Sequence, residues 1–322
     1  MDSRTDNCEV IQLASLGDAF DDQLAKRFRV LPLWQSASPQ EALSALGASA
    51  RVAVTSVRKG LSREQIALMP SLQAVCSWGV GYETLDVSAA VEHGVKISNT
   101  PEVLDDCVAD LAWALLLTVA RQTATGDRYV KGGLWKTIGA FPLSTRVSGK
   151  RLGILGMGRI GAAIAQRGTG FSMEVRYNNR RERPESPYQY MASLVELAQW
   201  ADFLVVACPG GESTRHLVNA EVLDALGPKG FVVNIARGSV IDEQALESAL
   251  REGRLGGAGL DVLEHEPKMP EAFKSMDQLA LMPHVGSATH DTRADMAQLV
   301  FDNVVSYMET GRLLTPVAET RD

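Results

Sequence analysis

KRLGILGMGRIGAAIAQRGTGFSMEVRYNNRR, residues 150–181, is the stretch around which this chain is organised. An apolar run leads into a glycine-rich turn, and the turn leads into a helix-competent segment. In such a turn Gly156 permits the sharp bend, Gly158 lets the backbone approach a pyrophosphate, and Gly161 lets the helix pack on its strand. A second apolar run at 173–177 follows at the distance of a βαβ unit. The pattern therefore favours dinucleotide binding over a glycine turn that serves packing alone.

Length and composition indicate a folded protein of two domains. The chain has 322 residues, and single hydrophobic cores usually stop growing at about 250–300 residues. Hydrophobic residues make up 45% and charged residues 22%, which excludes disordered and fibrous classes. The net charge is −7, from 32 basic and 39 acidic residues, and the basic residues are dispersed. Small diffusible partners are therefore expected, and neither nucleic acid nor a membrane surface.

Cysteine usage and the N-terminus indicate the compartment. Cys8, Cys76, Cys107 and Cys208 are dispersed without a CxxC pair, so the pattern supports neither a metal site nor a disulfide framework. The first ten residues are polar and acidic with no apolar signal segment, and the apolar run 111–120 is too short to span a bilayer. We therefore expect a cytoplasmic protein without a metal.

Short β-type runs alternate with helical runs from residue 9 to residue 100, and alternate again after the glycine turn. Such alternation predicts parallel sheets covered by helices. The expected fold class is α/β, with two Rossmann-like or flavodoxin-like parallel-sheet domains around a cleft. In the second domain, strands are expected at 152–155, 173–177, 203–207, 231–235, 258–261 and 279–282.

Two helical segments set the expected domain boundaries. The stretch 103–125 is predicted to be a connector helix between the domains. The segment 289–307 has its apolar side chains on one face and is expected to return to the first half of the chain. The predicted first domain is therefore discontinuous and binds substrate, with residues 1–101 and 287–322, and residues 102–286 form the dinucleotide-binding domain.

The residues that would bind the 2′ position of the nucleotide ribose indicate which cofactor is preferred. In NAD-binding units an acidic residue about 20 positions after the first glycine accepts the ribose 2′-hydroxyl. Here that region reads Asn178-Asn179-Arg180-Arg181 and has no carboxylate. Guanidinium and amide donors suit a 2′-phosphate. We expect NADP(H) to be preferred, with NAD(H) as the alternative cofactor. The other interpretation of these residues is a solvated charged loop that binds no ligand.

Three of the predicted strands are each followed by a candidate catalytic residue: Arg237, Glu266 and His284. Ligands bind at the carboxyl ends of parallel strands, so these side chains are expected to converge. Hydride transfer to a ketone builds negative charge on the carbonyl oxygen, and His284 could supply the proton. A carboxylate such as Glu266 favours and orients the imidazolium, while Arg237 offers a permanent fork to a substrate carboxylate.

The glycine turn, NIARG, DVLEHEP, PHVGSATH and SWGVGYETLD together resemble the D-isomer-specific 2-hydroxyacid dehydrogenase family, in particular its NADPH-dependent glyoxylate and hydroxypyruvate reductases. The resemblance covers nearly the whole chain. It implies reversible reduction of a 2-keto acid to the D-2-hydroxy acid by a homodimer, in which the region 126–143 reaches the partner subunit. It also implies that Arg237, Glu266 and His284 are the catalytic residues. Val80 and Gly81 match the family's substrate-carboxylate loop.

The expected contacts follow from these motifs. Substrate contacts are expected at Val80, Gly81, Arg237 and His284. Asp261 would hold the nicotinamide amide or close a local turn, and the neighbouring Glu264 and His265 are expected to be exposed. Cofactor contacts are expected at Gly156, Gly158, Arg159, Ile160, Gly161, Asn179, Arg180, Arg181, Pro209, Thr214, Ile235, Ala236, Arg237, Asp261, His284 and Gly286.

The identity of the substrate depends on the first domain. Arg58 and Lys59 add two cations on a loop, and Trp78 adds bulk beside the carboxylate loop. A narrow, polar cleft favours glyoxylate and hydroxypyruvate. Alternatives within the family are a 2-ketogluconate reductase or an aryl-pyruvate reductase in which Trp78 stacks on the substrate. A remote alternative is a non-enzymatic, nucleotide-sensing scaffold similar to the corepressors that resemble this family.

Overall fold

The computed structural model describes residues 8–321, so residues 1–7 and Asp322, which the predicted first domain includes, lie outside the described residues. The strands are β1 (Val10–Gln12), β2 (Val30–Pro32), β3 (Val52–Ser56), β4 (Ala74–Trp78), β5 (Lys96–Ser98), β6 (Arg151–Leu155), β7 (Glu174–Asn178), β8 (Gln189–Tyr190), β9 (Phe203–Val206), β10 (Phe231–Asn234), β11 (Gly257–Leu260) and β12 (Leu279–Leu281). The helices are α1 (Asp18–Arg27), α2 (Pro39–Leu46), α3 (Arg63–Ala67), α4 (Val87–Glu92), α5 (Asp105–Arg121), α6 (Thr123–Lys131), α7 (Arg159–Gly170), α8 (Leu194–Trp200), α9 (Ala220–Leu226), α10 (Glu243–Arg251) and α11 (His290–Thr310).

The chain forms two compact units. Of the described residues, 8–104 and 289–321 form the first unit, and Asp105–Ala288 form the second. Each unit contains one parallel sheet, so the predicted α/β class with two parallel-sheet domains is confirmed.

The sheet of the first unit has the strand order β2-β1-β3-β4-β5, and each of its pairs is parallel. Helix α11 packs on β4 and β3 of this sheet. The helix begins after Thr289, whose side chain accepts a hydrogen bond from the amide of Thr292, and it ends at Gly311, which is left-handed (φ 72). The apolar face that the sequence indicated buries Met296, Val300, Val304 and Tyr307.

The sheet of the second unit has the strand order β12-β11-β10-β9-β6-β7-β8, again with parallel pairing. Six of its strands correspond to the six that the sequence predicts. The seventh, β8, was not predicted, because two residues at a sheet edge carry no readable periodicity. Continuous apolar runs in β9 and β10 are fully buried, as expected for central strands of a parallel sheet.

The expected connector helix is α5, and it lies within the second unit. Its buried face packs on α7, β10 and β11. Trp113 stacks on Phe171 with ring centroids 4.4 Å apart and donates from Nε1 to the carbonyl of Ile164 at 3.0 Å. The helix ends at Arg121, short of the predicted limit, because Gln122 is left-handed (φ 54). Within residues 8–321, no helix has both the length and the apolar character needed to cross a bilayer.

Candidate active site

The glycine turn joins β6 to α7. Gly156 is left-handed (φ +103), and a Cβ there would lie 2.4 Å from the backbone nitrogen of Cys208. A Cβ on Gly161 would lie 2.1 Å from the carbonyl oxygen of Gly156. At Gly158, in contrast, the Cβ position has no atom within 4 Å among the described residues other than its neighbours along the chain. Packing therefore requires two of the glycines, while the third borders open space.

The open space at Gly158 adjoins the N-terminus of α7, where no side chain caps the helix. Arg159 and Ile160 are the first two residues of this helix. Uncapped amides and the helix dipole attract anions at such a position. The residues present therefore fit the pyrophosphate of a dinucleotide, and a side chain at position 158 would occupy the same space.

Two side chains from the region after β7 brace the glycine turn. The amide of Met157 donates to Oδ1 of Asn179 at 2.7 Å, and Nη1 of Arg183 donates to the carbonyl of Met157 at 2.6 Å. The hydroxyl of Tyr177 accepts from the amide of Arg183 at 2.9 Å. The bracing role of Arg183 was missed by the sequence reasoning, because it depends on the loop folding back onto the turn, which no spacing signal reveals.

Arg180 and Arg181 differ from Arg183 in their surroundings. Both are exposed, and within residues 8–321 neither guanidinium makes a hydrogen bond or an ion pair. Oδ1 of Asn179 is engaged by Met157, so its amide nitrogen is the group that remains to donate. Two guanidiniums and one amide are thus available to an anion beside the end of β7.

Arg237 follows β10 in a turn that a buried side chain shapes. Asn234, 1% exposed, accepts from the amide of Ala236 at 3.0 Å and donates to the carbonyl of Arg237 at 2.9 Å. A Cβ on Gly210 would lie 2.6 Å from Cγ of Arg237, so the glycine leaves room for the arginine stem. Ile235 in the same turn is buried.

Pro209 and Thr214 lie in the segment that follows β9. The hydroxyl of Thr214 donates to the carbonyls of Pro209 and Gly211, at 2.9 and 3.0 Å. Both residues therefore belong to one hydrogen-bonded turn, which also contains Gly210.

His284 and Glu266 form a direct pair. Nδ1 of His284 donates to Oε2 of Glu266 at 2.7 Å, and Oε1 of Glu266 accepts from the amide of Leu263 at 3.1 Å. The Glu266-Pro267 peptide bond is cis, and the backbone of His284 is left-handed (φ 55). Residues other than glycine rarely adopt a left-handed backbone conformation, and they keep it where surrounding bonds hold them in place. The two predicted residues are thus brought into contact.

Asp261 supplies those surrounding bonds. It is 2% exposed, and its two carboxylate oxygens accept from the amides of Val285 and Gly286, each at 2.8 Å. Its carbonyl accepts from the amide of His284 at 2.8 Å. Burial raises the pKa of Asp261, and the two amide donors oppose that rise. Of the two roles expected for Asp261, closing a local turn is the one that the contacts support.

Glu264 corrects an expectation. Its side chain is only 11% exposed, because Arg215 and His216 both contact Oε1, at 2.7 and 3.1 Å. Its amide donates to Oε1 of Glu243 at 2.6 Å. Burial raises the pKa of Glu243. The expectation of exposure was therefore wrong for Glu264, whereas His265 is exposed as predicted.

The loop that carries Val80 and Gly81 lies in the first unit, after β4. Gly79 is left-handed (φ +135). Its amide donates to Oγ1 of Thr100 at 3.1 Å, and its carbonyl accepts from the amide of Thr100 at 2.9 Å. Nδ2 of Asn99 donates to the carbonyl of Val80 at 2.8 Å. The turn is therefore held by the two residues that follow β5.

The residues expected to set substrate width and polarity are also in the first unit. Trp78 packs against the core beneath α11, and the guanidinium of Arg293 lies 4.4 Å from its ring centroid. Trp78 therefore belongs to the packing of α11, and its bulk does not support the argument for a narrow site. Arg58 and Lys59 are exposed.

Comparison with known proteins gives a family for this arrangement. The family model described as D-isomer specific 2-hydroxyacid dehydrogenase, NAD binding domain, matches residues 113–286. Hydroxyphenylpyruvate reductase of Plectranthus scutellarioides is 44% identical over 308 residues, or 96% of this chain and 98% of the relative. A glyoxylate/hydroxypyruvate reductase of Arabidopsis thaliana has the same identity and coverage. The NADPH-dependent glyoxylate/hydroxypyruvate reductase of Sinorhizobium meliloti, solved with NADP and malonate, is 38% identical with a TM-score of 0.88 over 98% of both chains.

The glycine turn generates a paired prediction. Gly158→Ala should leave the melting temperature near that of the wild type but weaken binding of reduced nicotinamide dinucleotide, because the methyl group enters the open space. Gly156→Ala should lower the free energy of unfolding by about 2–3 kcal/mol, through backbone strain and the close approach to Cys208. Thermal denaturation and fluorescence titration with NADPH measure the two effects. Equal losses of stability in both variants would contradict this division.

Proposed function

The chain belongs to the D-isomer-specific 2-hydroxyacid dehydrogenase family, and from that membership we propose that it is an NADPH-dependent reductase of small 2-keto acids. Glyoxylate and hydroxypyruvate are the proposed substrates, reduced reversibly to the D-2-hydroxy acids. The 2.7 Å bond between His284 and Glu266 carries the proposal, because it places a histidine with a carboxylate partner in the same unit as the dinucleotide turn.

His284 is the proposed proton donor. When bound, the nicotinamide would supply the hydride that the carbonyl carbon accepts, and the carbonyl oxygen would then need a proton from the protein. With Nδ1 bonded to Glu266, Nε2 is the nitrogen that would donate it. The carboxylate stabilises the imidazolium before transfer and fixes the orientation of the ring. In the reverse direction the neutral imidazole accepts the proton from the hydroxy acid.

Arg237 and the loop 79–81 are proposed to hold the substrate. A guanidinium can donate two parallel hydrogen bonds to a carboxylate. The amides of Val80 and Gly81 can add two more donors without side-chain obstruction. Each of these two donor sets suits the carboxylate that all 2-keto acids share, and His284 is the group proposed for the carbonyl.

The glycine turn and the strand ends are proposed to hold the cofactor. The uncapped α7 N-terminus and the space at Gly158 support a pyrophosphate there. The guanidiniums of Arg180 and Arg181, which bond to no other group in the described part of the chain, support NADP(H) over NAD(H), since a 2′-phosphate favours charged donors. The other proposed contacts are Gly156, Arg159, Ile160, Gly161, Asn179, Pro209, Thr214, Ile235, Ala236, Arg237, His284 and Gly286.

The first test concerns the proton donor. His284→Gln should lower kcat by about 100-fold to 10,000-fold while the Kd of NADPH stays the same, because loss of a general acid affects the chemical step. His265→Gln is the matched control, since His265 is an exposed neighbour of Glu266 and should retain wild-type kcat. A His284→Gln variant with wild-type kcat would contradict the assignment.

The second test concerns the cofactor. Wild-type enzyme should have a higher kcat/KM with NADPH than with NADH, and Arg180→Asp should reverse part of this preference by about 1–3 kcal/mol, the value of a charge-assisted hydrogen bond. Arg312→Asp, an equal charge change at an exposed site of the first unit, should leave the preference unchanged. A wild-type preference for NADH would refute the proposed role of the two arginines.

Aryl pyruvates are a second candidate substrate class within the family. One relative at 44% identity is a hydroxyphenylpyruvate reductase, and another at the same identity is a glyoxylate/hydroxypyruvate reductase, so identity alone favours neither. The exposed cations Arg58 and Lys59 on the first-unit loop support small polar substrates or sugar acids such as 2-ketogluconate. Reduction of an aryl pyruvate would require an apolar lining, which Trp78 does not supply while it packs against α11.

A substrate panel decides between these candidates. At fixed NADPH, glyoxylate and hydroxypyruvate should give the highest kcat/KM, followed by 2-ketogluconate, with phenylpyruvate and 2-ketoisocaproate lowest. Bulky apolar groups would leave charged donors desolvated without partners. Phenylpyruvate in first place would overturn the preference for small polar substrates while leaving the hydride chemistry unaffected.

A homodimer is proposed from an apolar surface of the second unit. Leu134, Trp135, Ile138 and Leu143 are 59%, 58%, 91% and 97% exposed. Trp135 is exposed although large aromatic side chains are usually buried in a protein core. Four largely exposed apolar side chains within ten residues of sequence are typical of an interaction surface.

The dimer has a direct test. Light scattering at micromolar concentration should give twice the chain mass of 34.7 kDa. The double variant Ile138→Asp/Leu143→Asp should be monomeric, because two charges would be buried in the interface. Val91→Asp, at a valine that is 52% exposed in the first unit, should remain dimeric. A monomeric wild-type protein would contradict the proposal.

A further inference from the structure

The loop 79–81 is hydrogen-bonded along one side only. The amide and the carbonyl of Gly79 both bond to Thr100, and the carbonyl of Val80 accepts from Asn99. Within residues 8–321 the amides of Val80 and Gly81 donate to no acceptor. The loop thus has two engaged carbonyls and two available amides.

Peptide geometry connects these two facts. In a trans peptide the carbonyl of one residue and the amide of the next point in opposite directions. Fixing the Gly79 carbonyl on Thr100 therefore directs the Val80 amide away from Thr100. Fixing the Val80 carbonyl on Asn99 likewise directs the Gly81 amide away from Asn99. The orientation of the Gly81 amide depends on a single side-chain donor, Nδ2 of Asn99.

Asn99 is itself held in place by Thr315, which is bonded to helix α11. Its carbonyl accepts from Oγ1 of Thr315 at 2.7 Å, and the same hydroxyl accepts from Nδ2 of Asn303 at 3.0 Å. Asn303 lies on α11 and is 0% exposed. Its Oδ1 accepts from the amides of Leu314 and Thr315, at 2.9 and 3.1 Å. A buried asparagine thus anchors the segment that contacts Asn99.

The same segment pairs with the sheet edge. The amide of Val317 donates to the carbonyl of Ile97 at 2.9 Å, and Ser98 and Pro316 form an antiparallel bridge. Asn99 follows β5 immediately, so its backbone is held on both sides. Its side chain is left to the Val80 carbonyl, at the ordinary distance of an amide-to-carbonyl bond.

We propose that Asn99 is the positioning residue of the carboxylate loop, and that α11 fixes it through Asn303 and Thr315. The proposal rests on the proposed function of Val80 and Gly81. Without the Asn99 donor, the Val80-Gly81 peptide can rotate and its amide no longer points at a fixed place. Preorganised donors bind an anion more tightly than donors that must first be ordered. Loss of the Asn99 donor should therefore weaken substrate binding, while cofactor affinity and the rate of the chemical step stay unchanged.

Asn99→Leu removes the donor while keeping a similar shape. We expect the KM for glyoxylate and the Kd of oxamate, a carboxylate probe measured by calorimetry in the presence of NADPH, to rise about 5- to 50-fold. The kcat and the Kd of NADPH should stay near wild type, which is the pattern of lost uniform binding. Thr315→Val should weaken oxamate in the same direction by a smaller factor, and Thr315→Ser, which keeps the hydroxyl, should restore wild-type affinity.

Gln278→Met is the matched control. Nε2 of Gln278 donates to the carbonyl of Leu250 at 3.1 Å in the second unit, and Gln278 is half-buried like Asn99. The variant loses the same kind of bond, so its melting temperature should fall about as much as that of Asn99→Leu, with no change in oxamate affinity.

The outcomes separate the two proposals. If wild-type enzyme reduces glyoxylate and binds oxamate, but Asn99→Leu and Thr315→Val bind oxamate with wild-type affinity, the positioning role is overturned and the proposed function stands. Equal weakening of NADPH and oxamate in Asn99→Leu would also overturn the role, since it would indicate general loosening. A wild-type protein that neither reduces glyoxylate nor binds oxamate would refute both.

Discussion

The buried carboxylate of Asp261 is the constraint on which the proposed chemistry depends. It binds the amides of Val285 and Gly286 at 2.8 Å each, and these bonds hold the turn in which His284 adopts a left-handed backbone. The imidazole then meets Glu266 at 2.7 Å. An orientation that the backbone alone would disfavour is therefore maintained by a group that itself need not touch the substrate.

A similar arrangement is found at the two places where anion binding is proposed. At the glycine turn, Asn179 and Arg183 hold Met157 from both sides, next to the open space at Gly158. At the carboxylate loop, Asn99 and Thr100 hold the carbonyls so that the opposite amides are presented. In each case backbone amides are the proposed anion donors, and side chains from other segments fix their direction. Preorganised backbone donors of this kind need little reordering when a ligand binds.

The fold and the pairing of His284 with Glu266 could be predicted from sequence because their signals are local. Apolar runs, the glycine spacing and single charged residues after strands are readable one segment at a time. Tertiary contacts, in contrast, set the burial of Glu264 and the packing of Trp78 beneath α11. The link from Thr315 to Asn99 spans 216 positions in sequence, and no periodicity encodes such a pair. The residues that could not be predicted from sequence are mainly those that orient the proposed functional groups.

Isotope transfer tests the central claim most directly. Hydroxypyruvate is incubated with the enzyme and with NADPH deuterated at both C4 positions, and the glycerate is analysed by mass spectrometry and chiral chromatography. Hydride transfer to the carbonyl carbon, with protonation of the oxygen by His284, predicts D-glycerate with one deuterium at C2 and none from solvent at that carbon. L-glycerate, or glycerate without deuterium at C2, would contradict the account.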